Sequence, residues 1–507
     1  MASLLEQYSE ITGPKITQVT GLPKARALAG LDHLLLVLPE KVPTRTWRGI
    51  PQGTQLQALM RRSQQDSVPE IMTRLNNKHQ TAAHVARLDP GKDSFELLTF
   101  ARKMVASVKT EKAGVTGIWV LGFDADTQAL LSRHLVSAAL AASFPLPVYR
   151  EKNPPPVIKS LRILGQDSRL NLDRVQAEAD GNNIARWLTA QPANMLNAIS
   201  YADFLKDLAN AEGWQFKKYG VNDLKKMGAG AFLAVAQGNA DDSATIVRLR
   251  YRPGSRSARP DIGLVGKGII FDTGGTNLKP FDSMLDMHID MGGSAVAVGT
   301  LLALSRIGVD IAVDCWLAIT ENRTGPTAYK SQDVVRALNG KTIQTIHTDA
   351  EGRMALADAL VLASRAKPKL VVDYATLTGA CLNAVTSRYS GIFTNQPDLH
   401  RVLKKTGRDS GERVWPFPIG KEFIEELKSD TADIKQCSPS SGGDHILAAS
   451  FLAEFVENDT PWVHVDLSAC QRKGGLAHIP TDITGFGVRY STNLIVDQDL
   501  VQTVSGD

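Results

Sequence analysis

The chain of 507 residues is poor in cysteine, and its four, Cys315, Cys381, Cys437 and Cys470, are widely spaced with no CxxC pair. That excludes a disulfide framework and a thiolate zinc site, and it fits a reducing compartment. No basic segment followed by an apolar run opens the chain, and no stretch reaches about 18 uninterrupted apolar residues. The expectation is a soluble cytoplasmic protein with no membrane partner. Internal repeats and low-complexity tracts are also absent, and net charge is only +4. Residues 1–150 hold 18 Lys and Arg against 12 Asp and Glu, while the remainder holds 39 against 41. The surplus is scattered except for Arg61 and Arg62, so a solvated surface explains it, with a nucleic-acid-facing patch as the alternative.

What is present is an alternation of strand-like and helical patterns. In residues 1–150, LDHLLLVLP, DSFELLTFARKMVASV, GVTGIWVLGF and ADTQALLSRHLVSAALAASF alternate in this way, which implies an α/β unit with parallel strands. The histidines His33, His79, His84 and His134 are not grouped at ligand spacing. Three consecutive prolines near Arg150–Val157 favour an extended segment and place a boundary there. The expected organisation is an N-terminal α/β domain over 1–150, a linker and bridging helix over 151–190, and a larger α/β domain over 191–507. In the last, DIGLVGKGIIF, DIAVDCWLAIT, KLVVDYATL and PWVHVDL read as strands, and ILAASFLAEFV as a helix. The fold class is α/β with a mixed, mainly parallel central sheet, whose site should lie beyond the carboxyl ends of the strands.

The chemistry gathers at such ends. In IHTDAEGRMALADA, Asp349, Glu351 and Arg353 alternate ahead of a helical pattern; in isolation the two acids would simply cap that helix. Upstream, Asp272 follows an apolar strand, Lys279 follows Thr-Gly-Gly, and Asp290 begins a helix at Asp-Met-Gly-Gly. Lys267 sits inside the strand between Gly266 and Gly268. Burial lowers a lysine's pKa and makes a neutral amine available as a ligand or proton acceptor, although pairing with a buried carboxylate is the plain alternative. Lys267, Asp272, Asp290, Asp349 and Glu351 offer one nitrogen and four carboxylates, enough to bridge two divalent cations. Mn²⁺, Mg²⁺ or Zn²⁺ suits such donors better than copper or an iron–sulfur centre. Spacing alone leaves phosphatase and peptidase chemistry both open.

VGKGIIFDTGG, DMGGSA, VVRALNGKTIQ, TDAEGRMALADAL and ATLTGA, in this order, resemble the leucyl aminopeptidases, the two-metal family of cytosolic aminopeptidases. The match is specific over about 261–395 and weaker to about 490. The resemblance implies hydrolysis of the N-terminal peptide bond of peptides with a free α-amine by a two-metal bridging hydroxide, with Mn²⁺ or Zn²⁺ in the sites. Asp272, Asp349 and Glu351 would hold the tighter metal, and Lys267, Asp272, Asp290 and Glu351 the exchangeable one. Lys279 would stabilise the oxyanion, and Arg353 would hold a bicarbonate as general base. Met287 and Thr376 would line the pocket for the first side chain, with Leu377 and Gly379 forming a backbone wall. The family also implies a homohexamer. A DNA-binding role through the N-terminal domain is the alternative function. Departures from the family pattern are His347 for a usual Asn, Ser331-Gln332-Asp333 for Pro-Gly-Asp, His288 for Arg, and the segment Leu467–Gln471, where Gln471 would loosen a strict leucine preference.

Overall fold

The computed structural model describes residues 3–63, 67–108, 114–150, 158–254, 259–440 and 442–505. The chain divides into two compact units, one of Ser9–Ala179 with Lys473–Asp482, the other of Asp180–Arg472 with parts of both chain ends.

The N-terminal unit is a six-stranded sheet. Its strands are β1 (Lys15–Thr20), β2 (His33–Pro39), β3 (Ile71–Arg74), β4 (Ala82–Leu88), β5 (Gly114–Val120) and β6 (Ile158–Gln166), in the order β1-β6-β5-β2-β4-β3. Every pair is parallel except β3 with β4. Successive side chains of a strand point to opposite faces. Leu35, Val37, Ile118 and Val120 accordingly join one apolar cluster, with Met104 and Leu135 of the Ser94–Ala106 and Ala125–Ser143 helices. Leu34, Leu36, Leu38 and Trp119 join another, on the opposite face.

The division between units falls after residue 179, not near 150. The three prolines lie in 151–157, outside the described residues. Beyond them the chain does not remain a linker: Ile158–Gln166 is the strand between β1 and β5. The helix Asp173–Thr189 carries the chain from one unit into the other.

The larger unit is built on an eight-stranded sheet. In chain order the strands after β6 are β7 (Gln215–Gly220), β8 (Thr245–Tyr251), β9 (Ile262–Asp272), β10 (Val313–Asn322), β11 (Val334–Arg336), β12 (Thr342–Gln344), β13 (Leu370–Ala375), β14 (Ser390–Thr394), β15 (Val414–Pro416), β16 (Ile434–Lys435) and β17 (Trp462–Asp466). The main sheet runs β15-β14-β17-β13-β9-β10-β8-β7, and β11, β12 and β16 form a small second sheet. The central strands β17, β13, β9 and β10 are mutually parallel, while β14–β17, β10–β8 and β8–β7 are antiparallel. The sheet is therefore mixed, with a parallel core. Strands buried on both faces should read as continuous apolar runs, and β9 is buried along nearly its whole length.

Two helices pack on that core, Gly292–Ile307 and Glu351–Arg365. The helical run Phe281–Ile307 is long and apolar enough to cross a membrane, but its most apolar window is 89% buried, as a core helix would be. The first residues of Gly292–Ile307 are small for a packing reason. A Cβ on Gly293 would stand 2.2 Å from the Tyr374 carbonyl oxygen of β13, and one on Gly266 would stand 2.5 Å from Ser294 Cα. Only glycine at both positions lets helix and sheet backbones approach this closely. Gly293→Ala is expected to lower stability by about 1–3 kcal/mol through forced separation of that helix from β13, in spite of alanine's better helix propensity. Denaturant unfolding of the two proteins measures the difference.

Candidate active site

The carboxyl ends of β9, β10, β13 and β17 lie side by side, and each supplies a polar group. Asp272 ends β9, Asn322 ends β10, Thr376 follows β13, and Asp466 ends β17. Open α/β sheets place their ligands at this position. Asp349 precedes the helix that starts at Glu351. Asp290 does not begin a helix as its sequence setting suggests; it lies in the 3₁₀ turn Met287–Met291 ahead of Gly292–Ile307.

Lys267 stands at the centre. Its Nζ is 2.8 Å from Asp290 Oδ2 and 3.0 Å from Glu351 Oε1, and it donates to the Thr376 carbonyl at 2.9 Å. The room comes from Gly352, where a Cβ would meet Lys267 Nζ at 2.6 Å. Lys279 Nζ lies 3.0 Å from Asp272 Oδ2 and 2.5 Å from Asp349 Oδ1. Asp272 Oδ1 accepts from the Gly274 amide and from Asn322 Nδ2, both at 2.8 Å. Thr376 Oγ1 donates to Asp290 Oδ1 at 2.7 Å. The five residues expected as ligands, together with Lys279, thus form two ion-paired groups, Lys267–Asp290–Glu351 and Lys279–Asp272–Asp349, brought together where oxygens of Asp272, Asp290 and Glu351 lie within 4.8 Å of one another.

The electrostatics follow from crowding in a buried place. Burial first, then the Asp272 charge, push Glu351 up to about 8. Asp290 is raised to about 6 by burial, against the lowering pull of Lys267, and Asp349 is raised for the same first reason. For Lys267 the expected lowering is reversed. Burial does pull its pKa down, but Asp290, Glu351 and Asp272 together outweigh it and hold the ammonium charged above the usual lysine range. Lys279 is likewise raised, by Asp272 and Asp349 against burial.

The donors fit hard divalent cations. Asp272, Asp290 and Glu351 each offer an oxygen within 4.8 Å of the others, and buried Glu351 Oε2 accepts no hydrogen bond among the described residues. An unsatisfied buried carboxylate oxygen is costly unless something cationic meets it.

Several supporting residues carry no signal in their local sequence. Asn322 Nδ2 also donates to the Thr348 carbonyl at 3.0 Å, as does Tyr329 OH at 2.9 Å. Gln436 Oε1 accepts from the amides of Ile346 and His347, and its Nε2 donates to the Ala350 carbonyl. Asp466 accepts from the Leu377 and Thr378 amides and from Thr378 Oγ1, which fixes the loop leading to Gly379 at the start of the next helix. Exposed His347 uses its Nδ1 to accept the Asp349 amide at 3.2 Å. Half-buried Met287 lies in the same turn as Asp290. Arg353 is buried, and its guanidinium meets Asp444, a residue its motif gave no reason to expect. In the other unit, His33 Nδ1 and His84 Nε2 lie 3.0 Å apart, although their spacing in the chain does not group them.

An open α/β sheet with acids and lysines converging at its parallel strand ends is the build of a metallohydrolase. The model of the cytosol aminopeptidase family, catalytic domain, matches residues 183–492. The chain belongs to that family and is a metal-dependent aminopeptidase. It is 36% identical over 369 residues to a probable cytosol aminopeptidase of Aquifex aeolicus, covering 72% of this chain and 74% of the relative. Among solved structures it is similar to the bottromycin maturation enzyme BotP in complex with Mn, at TM-score 0.77 and 29% identity, over 93% of this chain and all of that one. A mutant of tomato leucine aminopeptidase shares the fold at TM-score 0.83 and 24% identity, over 96% of this chain and 97% of that one.

The raised acids carry a stability consequence. Without metal, folded Glu351 keeps a proton up to about pH 8, whereas the unfolded chain releases it near the ordinary glutamate pKa of about 4.3. Stability contributed at this group therefore falls as pH rises across that window and levels off above it. In EDTA, the unfolding midpoint of Glu351→Gln should gain on the unsubstituted protein between pH 5 and pH 8. A constant difference across that range would refute the assignment.

Proposed function

We propose that the protein releases N-terminal residues from peptides with a free α-amine, using two divalent ions, Mn²⁺ or Zn²⁺, with Mg²⁺ as a further candidate. The observation that carries this is the convergence of Lys267, Asp272, Asp290, Asp349 and Glu351 on one buried spot beside Lys279. Asp272, Asp349 and Glu351 would hold one ion, and Lys267, Asp272, Asp290 and Glu351 the other. When bound, such ions supply an ionised water and polarise a carbonyl.

The chain's own residues do the rest. A free α-amine would take a donor position at the exchangeable ion, which favours peptides with a free N-terminus. Lys279, already cationic, donates to the carbonyl oxygen of the substrate as charge develops there. Met287 and Thr376 line the pocket for the first side chain, and the backbone at Leu377 and Gly379 forms its wall, held in place by Asp466. Arg353 holds the anion that completes the site. Lys267 serves as a ligand only after losing its proton, so ion binding at that position is coupled to proton release. A cytoplasmic homohexamer is the setting that the family resemblance implies.

The test is direct. With Mn²⁺ added, purified protein should hydrolyse a leucyl anilide; acetylating the amine should abolish turnover, and EDTA should do so reversibly. Lys279→Ala should lower kcat by about 10²–10³-fold with KM little changed. If no free-amine peptide or anilide is cut with any divalent ion, the proposal fails.

A further inference from the structure

Arg353 is the third residue of the Glu351–Arg365 helix, and its side chain is 2% exposed. A guanidinium removed from water this far needs a counter-ion. The chain supplies one: Nη2 donates to Asp444 Oδ1 at 2.9 Å and to Oδ2 at 2.7 Å, and Nη1 donates to the Gln436 carbonyl at 3.2 Å. Asp444 is the first residue of the ten-residue helix Asp444–Ala453. Preceding Gly443, at φ +67°, turns the chain into that helix. A carboxylate at a helix N-terminus is stabilised by the helix dipole as well. Two independent features, a buried cation and a helix start, therefore hold the same side chain.

We propose that Asp444 is the anion Arg353 holds, in the place that the family resemblance gives to bicarbonate, so that this enzyme works without dissolved bicarbonate. A tethered carboxylate competes at an effective concentration of millimolar or more. A dissolved anion that takes the Nη2 donors must displace it, at the added cost of leaving Asp444 without its partner. The inference deepens the aminopeptidase reading and depends on it only for the activity half of its test.

That test has two arms. In the first, the ¹³C signal of labelled bicarbonate is followed by NMR with the metal-loaded and the metal-free protein. The unsubstituted protein should leave the line unbroadened. Asp444→Ser should broaden it, and adding Arg353→Met to that variant should remove the broadening. In the second arm, peptidase activity is measured in carbon-dioxide-free buffer and with bicarbonate restored. Unsubstituted activity should be the same in both. Asp444→Ser should fall by about 10²-fold, the scale of a lost acid–base group, and recover when bicarbonate is added. Bicarbonate binding to the unsubstituted protein that Arg353→Met abolishes, or loss of its activity in carbon-dioxide-free buffer, would overturn the proposal. So would an Asp444→Ser protein with an unchanged unfolding midpoint that is neither bound nor rescued by bicarbonate. Asp444→Asn, which preserves shape, repeats both arms should the serine variant misfold. If the protein cleaves no free-amine substrate at all, the peptidase reading fails, and the NMR arm still decides the role of Asp444.

Discussion

Four carboxylates brought together in a buried cleft repel one another and lose their hydration, and much of the larger unit can be understood as the means of tolerating this. Lys267 and Lys279 each bridge two of the four acids. Without the lysines the acids would take up protons, and the pressure in that direction is visible in Glu351, whose pKa reaches about 8 even with Lys267 beside it. The glycines serve the same end. Gly352 leaves space for the Lys267 side chain, and Gly266 and Gly293 let the helix that follows Asp290 lie against the sheet. A residue type normally found on surfaces is thereby held in the middle of a core strand.

The sheet turns that constraint into a site. Parallel strands deliver their carboxyl ends to one edge, and each end carries a group that holds the next. Asn322 ties Asp272 to Thr348, Thr376 ties Lys267 to Asp290, and Asp466 ties down the loop after Thr376. Asp272, Asp290 and Glu351 are thus held by groups on or just beyond neighbouring strands, and Asp349 by Lys279 of the loop after β9. Such fixing is what allows donors to meet an ion at set positions.

Features set by near neighbours in the chain were legible in the sequence. Asp349 stands just before a helix and Glu351 begins it, Lys267 stands in a strand, and the alternation of strands and helices pointed to the fold class. Features set by register or by distant contacts were not. The His33–His84 pair exists because β2 and β4 run parallel, which no spacing in the chain reveals. Asp444 meets Arg353 across 91 positions. Prolines suggested a boundary near 150, yet the next segment returns to the sheet as β6, because a strand's membership is decided by pairing and not by what precedes it. For Lys267 the sequence left both directions open, lowering by burial and raising by a paired carboxylate, and the convergence of Asp290, Glu351 and Asp272 decides for the second.

The pairing of Arg353 with Asp444 bears on the charge of the site as a whole. A guanidinium neutralised by its own carboxylate adds nothing to the net balance, which is then set by the four acids, with Glu351 holding a proton below about pH 8, against two lysines and is negative. A negative cleft draws in cations and protonated amines but disfavours an oxyanion. Two divalent ions would reverse that sign, while the strand-end hydrogen bonds keep the acids where they are. The same residues therefore suit capture of divalent cations before loading and stabilisation of negative charge after it. Lys279, held cationic against burial by Asp272 and Asp349 in the metal-free site, is the protein group suited to meet a developing oxyanion.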